Sequence, residues 1–304
     1  MTQVFLGSEA LRRGAITRHE LQRRHRSIYP DVYVEKRHPV SLHDRIVGAW
    51  LWSQRRAVVA GVAASALHGA RWVADDVRVE LIWNNGRPPP QIIARNEQLG
   101  DGELTTIEGL PVTTVVRTAF DLGRHLPRGK AVARLDALAH ATGVTSADVL
   151  SLARRHKGAR GVRRLTAALS LMDQGAQSPK ETWLRLLLID AGFPPPTTQI
   201  PVHNGDCYPL AYLDMGWEAV KVAVEYDGDG HRTDRRQYVK DMSRLQMVQD
   251  CGWIVIRVIA EDHPNDVIDR VYRALTQRGF TEIDYTQIAS RSLPARVQFR
   301  RRGV

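Results

Sequence analysis

Apolar residues recur at helical spacing in HDRIVGAWLWSQ and GVAASALHGARWV, and the small residues of the second suit close helix packing. VRVELIW alternates like a half-buried strand, NNGRPPP is a turn, and QIIAR and ELTTIEGLPVTT add strand signal around Gly109-Leu110-Pro111. VVRTAFDLGRHL returns to a helical period, and from Arg128 to about Asp173 the chain reads as a series of helices, one opened by Thr145-Ser146. The basic stretch RRHKGARGVRR interrupts that series. With Gly158 and Gly161 it reads as a hinge or a second phosphate-contacting patch, and a solvated loop is the plainer alternative. His68, His125 and His140 are single histidines on helices with core or surface roles, and this middle region shows no chemical constellation.

A second pattern begins at Ser178-Pro179, where Ser178 caps a helix, Pro179 takes its first position and Glu181 its third, so Glu181 is explained by a capping box alone. ETWLRLLLIDAG places Trp183, Leu187 and Leu188 on one stripe and ends at Gly192. TTQIPVH, the Asn204-Gly205 turn, DCYPLAYLDMGW and EAVKVAVEYDG give three strands in an antiparallel meander. A helix through DRRQYVKDMSRLQMVQD follows, with Tyr238, Met242, Leu245 and Val248 as its apolar stripe. WIVIRVI is a buried strand and DHPNDVIDRVYRALTQRG a closing amphipathic helix, giving the order αβββαβα.

At the N-terminus SEALRR reads as a short helix ended by Gly14, Thr17 caps RHELQRRH, and a β-ribbon turns at Pro30-Asp31. Helix, turn, helix and ribbon is the order of a winged helix. The expected domains are 1–70, a winged-helix region; 71–175, a mixed sheet and helical region; 176–280, the αβββαβα domain; and 281–304, a basic tail. The fold class is therefore mixed, α+β or α/β.

The chain has 304 residues and a formal net charge of +10, and a surplus of Arg and Lys is what phosphate neutralisation requires. Nucleic acid is the partner this charge suggests, with Arg18, Arg23, Arg24 and Arg26 as reading and clamping residues if the first segment is a winged helix. No stretch is long and apolar enough for a membrane span, and the first residues lack the apolar core of a signal peptide, so a cytoplasmic protein with no membrane partner is expected. Cys207 and Cys251 form no metal-ligand pair with a close neighbour and read as buried thiols. The tail ARVQFRRRGV reads as a basic arm adding nonspecific affinity, or one that packs through Val297 and Phe299.

The stretch from Tyr208 to His231 ends one apolar run at Asp214 and the next at Glu225, followed by a Gly-rich acidic loop and His231. Two strands finishing close together make these carboxylates a candidate metal site. The order αβββαβα with these acids resembles the restriction-endonuclease-like superfamily, also written PD-(D/E)XK, and more closely its branch similar to the very-short-patch mismatch-repair endonuclease. In that resemblance Asp214 matches the metal-binding aspartate, Glu225 the second acid and Glu181 a helix glutamate that assists catalysis, while EYDGDGH matches a Gly-containing loop and its histidine. Asp241, Arg244, Gly252-Trp253 and Arg257 match further positions of the family pattern. Asp227 stands where the broader superfamily has a lysine; Lys221, by strand parity, and Lys240 are substitutes, and the mismatch-repair branch uses histidine instead. The first segment resembles the degenerate winged-helix domain of abortive-infection antitoxins, which implies DNA binding and a toxin partner.

The resemblances imply Mg²⁺ held by Asp214, Glu225 and a backbone carbonyl near Tyr226, with His231 as general acid or base in phosphodiester cleavage of DNA. The alternative is a non-catalytic DNA-binding regulator or antitoxin that keeps the nuclease fold as a scaffold, and an RNA substrate is a third option. In the plainest reading Glu225 and Asp227 belong to an acidic turn and Asp214 begins a turn before Gly216.

Overall fold

The computed structural model describes residues 4–204, 208–228 and 235–280, with 235–240 described by backbone alone. The protein is a mixed α and β structure in two compact units, Met1–Gln174 and Gly175–Val304. Among the described residues no helix is long and apolar enough to cross a membrane.

Unit 1 begins with β1 (Phe5–Leu6), α1 (Gly7–Arg12), α2 (Arg18–Arg24), β2 (His25–Tyr29) and β3 (Val32–Glu35). Thr17 caps α2 reciprocally with Glu20: the Glu20 N–H donates to Thr17 Oγ1 at 3.2 Å, and the Thr17 N–H donates to Glu20 Oε2 at 2.9 Å. β3 lies between β2 and β1, a two-residue strand too short to leave a period in the sequence.

The chain continues through α3 (Leu42–Trp52), β4 (Val58–Ala60), α4 (Gly61–Leu67), β5 (Val79–Ile82), β6 (Ile92–Arg95), β7 (Leu104–Ile107) and β8 (Leu110–Thr113). These five strands form a mixed sheet in the order β6-β5-β4-β8-β7. One core joins Val4, Leu6, Val32 and Val34 to Val59, Leu81, Ile92 and Val112. Residues on both sides of the boundary expected near residue 70, from Val4 to Val112, therefore share one core, and that boundary is not a division in the packing. The ribbon and α3 each have an apolar face too small to bury alone; α3 packs against the ribbon and against β4 and β5 of the sheet.

α5 (Val115–His125), α6 (Arg128–Thr142), α7 (Ser146–Arg155) and α8 (Val162–Leu169) complete unit 1. Gly123 lets α5 approach α8, because a Cβ there would stand 2.3 Å from Leu165 Cδ1. Arg117 is only 1% exposed. Its guanidinium donates to Glu103 at 2.6 Å, Glu97 at 2.8 Å and Asp121 at 3.0 Å, so a buried charge is fully paired.

Unit 2 follows the expected order: α9 (Pro179–Ala191), β9 (Thr197–Val202), β10 (Ala211–Trp217), β11 (Val222–Tyr226), α10 (Arg235–Asp250), β12 (Ile254–Val258) and α11 (Pro264–Gln277). Its sheet order is β12-β11-β10-β9, antiparallel except for the parallel pair β11 and β12. One core holds Leu184 and Leu188 of α9 with Val222, Val224 and residues of α11; another holds Ala223 with Val248 of α10. β10 changes faces along its length, since Leu213 belongs to the second core and Met215 and Trp217 to the first. The change falls at Asp214, opposite Gln199, which adopts a left-handed backbone at φ 52°.

Candidate functional site

Asp214 and Glu225 meet because β10 and β11 are in register: Met215 pairs with Val224, and the two acids are the next positions outward. Gly216 permits the close approach of these strands, since a Cβ there would stand 2.3 Å from Val222 O. Beyond the last paired residue, Asp214 Oδ2 accepts a hydrogen bond from the Tyr226 N–H at 3.0 Å. Glu181 joins from the first turn of α9, where its N–H donates to the capping Ser178 Oγ at 3.1 Å and its Oε2 accepts from the Gln177 N–H at 2.9 Å.

Burial, followed by the negative charges of Glu181 and Glu225, pushes the Asp214 carboxyl up to about 7; the Tyr226 N–H and Arg244 pull it down only in part. Glu225 is 8% exposed. Arg244 of α10 donates to its Oε1 at 2.7 Å and Oε2 at 3.3 Å, and to the Tyr212 carbonyl at 2.5 Å. Arg257 of β12 pairs with Asp227 at 2.9 Å. Asp214, Glu225, Asp227, Asp241, Arg244 and Arg257 line a cleft of about 260 Å³. Its donors toward a cation are all carboxylate or carbonyl oxygens, which suit a hard divalent ion.

α10 turns inward a face that keeps Leu245 and Val248 of the expected apolar stripe but leaves Met242 out. Met242 is 44% exposed, whereas Asp241, Arg244 and Leu245 are partly buried and Val248 is buried. The inward spacing is 241, 244, 245, 248: Asp241, Arg244 and Leu245 line the acidic cleft and Val248 joins the core. The side chain of Tyr238 lies outside the described residues.

The substitutes for the missing lysine fare differently. Lys221 adopts a left-handed backbone at φ 51° before β11 begins, and its Nζ donates to Cys251 O at 2.9 Å. It sits at the end of the strand away from Glu225 and takes no part in the cleft. His231 and the Lys240 side chain lie outside the described residues, as do Cys207 and the tail 281–304. Lys180, which sequence reasoning passed over, donates to Tyr226 Oη at 3.2 Å from the first turn of α9. Its position beside Glu181 was the available signal.

In unit 1, Arg18, Arg23, Arg24 and Arg26 are all exposed, on α2 and at the start of β2. Arg26 is committed, donating to His38 O at 3.0 Å. The middle region does contain a constellation, assembled from residues distant in sequence: Glu97, Asp121 and His125 bring potential ligand atoms within 4.8 Å of one another. Arg117 and Arg124 answer their charge. Burial alone would raise Glu97, but His125 and Arg124 outweigh it and bring the carboxyl down to about 2, as expected of an ion-pair network.

No family model and no solved structure matches the chain. It is similar to an uncharacterised protein of Mycobacterium tuberculosis, in strains CDC 1551 / Oshkosh and ATCC 25618 / H37Rv. The identity is 26% over 215 residues, covering 70% of this chain and 79% of the relative.

Proposed function

We propose that the protein binds DNA through unit 1 and hydrolyses phosphodiester bonds at the carboxylate cleft of unit 2, with Mg²⁺ or a similar divalent ion held by Asp214 and Glu225. The observation that carries this reading is that Asp214 and Glu225, on paired strands, line one cleft, where burial and the charges of Glu181 and Glu225 push the Asp214 carboxyl up to about 7. Gathering three carboxylates costs free energy that a divalent cation offsets. When bound, the ion would activate water and stabilise charge on the phosphate.

The chain's own residues have separate tasks. The Tyr226 N–H fixes one oxygen of Asp214, and Ser178 and Gln177 hold Glu181 at the start of α9. Arg244 and Arg257 line the cleft paired with Glu225 and Asp227, and would orient a phosphate where a bound cation takes over those carboxylates. His231 is the proton-transfer residue of this reading. The fold of unit 2 is read as restriction-endonuclease-like, and α1, α2 and the β2–β3 ribbon as a winged helix that brings Arg18, Arg23 and Arg24 to DNA. Titration calorimetry with Mn²⁺ and Mg²⁺ tests the site: one bound ion, lost in Asp214→Asn, supports it, and equal binding by both proteins or by neither contradicts it.

A second reading, a non-catalytic DNA-binding regulator working with a toxin partner, is favoured by the Arg244–Glu225 pair. A guanidinium there already neutralises the acid, so the fold would serve as a scaffold.

A further inference from the structure

Unit 1 has two contiguous cavities, of about 520 and 620 Å³, that share His125 and Arg164. Arg95, Arg124 and Arg160 line the first, and Arg163 lines the second. Two of these arginines are committed: Arg95 to Glu80 at 2.6 Å, and Arg124 to Glu97 and to Asp121 at 2.8 Å. Arg160, Arg163 and Arg164 are exposed, and among the described residues none of them has a carboxylate partner. Three unanswered guanidinium groups within five residues repel one another unless an anion is present.

The segment that carries them is held in place. Arg124 Nη1 donates to Arg160 O at 2.9 Å, binding the loop to α5. Gly161 sits at φ 91°, and a Cβ there would stand 2.7 Å from Arg124 O, so only glycine permits this approach. Gly161 and Pro127, which precede α8 and α6, give those helices no side-chain cap, and both line the cavities. First-turn N–H groups are thus left for another acceptor. Arg124 is buried, and its Nε has no hydrogen-bond partner. A solvated loop explains the charge of this stretch, but not its fixed backbone or its place at two joined cavities.

We infer that these cavities bind consecutive phosphates of a DNA backbone, forming a contact surface separate from Arg18, Arg23 and Arg24. The inference rests on nucleic acid being the ligand of unit 1, and is independent of phosphodiester hydrolysis in unit 2.

The test is fluorescence anisotropy of a labelled duplex with the full chain across a salt series. A variant combining Arg160→Ala, Arg163→Ala and Arg164→Ala should bind about tenfold or more weakly, and its log–log salt slope should be shallower by about two to three. Unchanged affinity and slope overturn the inference. If the triple variant fails to fold, Arg164→Gln, at the residue common to both cavities, should lower the slope by about one. Inorganic phosphate should displace the duplex no better than chloride at matched ionic strength; efficient displacement would mean a single-anion pocket and contradict backbone binding. Weaker binding in Arg23→Ala with Arg24→Ala, combined with wild-type binding in the triple variant, would leave DNA binding standing and reject this second surface.

Discussion

Arg244 and Glu225 form a two-point ion pair, with guanidinium nitrogens 2.7 and 3.3 Å from the two carboxylate oxygens. A divalent ion at Asp214 and Glu225 would compete with Arg244 for the same oxygens. Arg244→Ala should therefore cost about 1–3 kcal/mol in urea unfolding with a chelator, the penalty for stranding a buried charged acceptor. Added Mg²⁺ should reduce that cost. An equal loss in both buffers would mean that Arg244 is a structural partner only.

The Asp214 carboxyl titrates near 7 when folded, against an ordinary 3.8. A raised folded value means that the native state holds the proton more tightly, so this contribution to stability is fully present below the ordinary value and is lost as pH rises through about 7. Without metal, stability should fall across that interval by at most about 1.4 kcal/mol per pH unit, and by less for a group that is partly exposed. Asp214→Asn should flatten the profile in chelator, and divalent ion should flatten it in the wild type. A slope unaltered by Asp214→Asn would place the titration elsewhere.

For the N-terminal surface, Arg23→Ala with Arg24→Ala should weaken duplex binding and reduce the salt slope by about two. Arg26→Ala should have a smaller effect, because its guanidinium is held by His38 O. Equal effects of the single variants Arg23→Ala, Arg24→Ala and Arg26→Ala in the same anisotropy series would contradict that distinction.

Much of unit 2 was legible because its signals are local. The order of elements, the cap at Ser178 and the place of Glu225 near the end of β11 follow from period and turn chemistry, whereas Asp214, read as the end of a strand, lies inside β10. What stayed hidden depends on packing. The pairing of Arg244 with Glu225 requires knowing which face of α10 meets the sheet, and Met242 suggested a position on that face that the structure leaves exposed. Lys221 was placed with Glu225 by extending strand parity one residue too far, into a left-handed turn. In unit 1, β1 and β4 are too short to leave a period, and the ion network around Arg117 joins residues 14 to 20 positions apart.

The central claim, phosphodiester hydrolysis at Asp214 and Glu225, is tested most directly by incubating supercoiled plasmid with the purified full chain and Mg²⁺ or Mn²⁺. The account predicts nicking by the wild type that a chelator abolishes and that Asp214→Ala lacks while still binding the plasmid. No nicking by a wild-type protein that binds DNA and metal, or nicking that persists in Asp214→Ala, would contradict it.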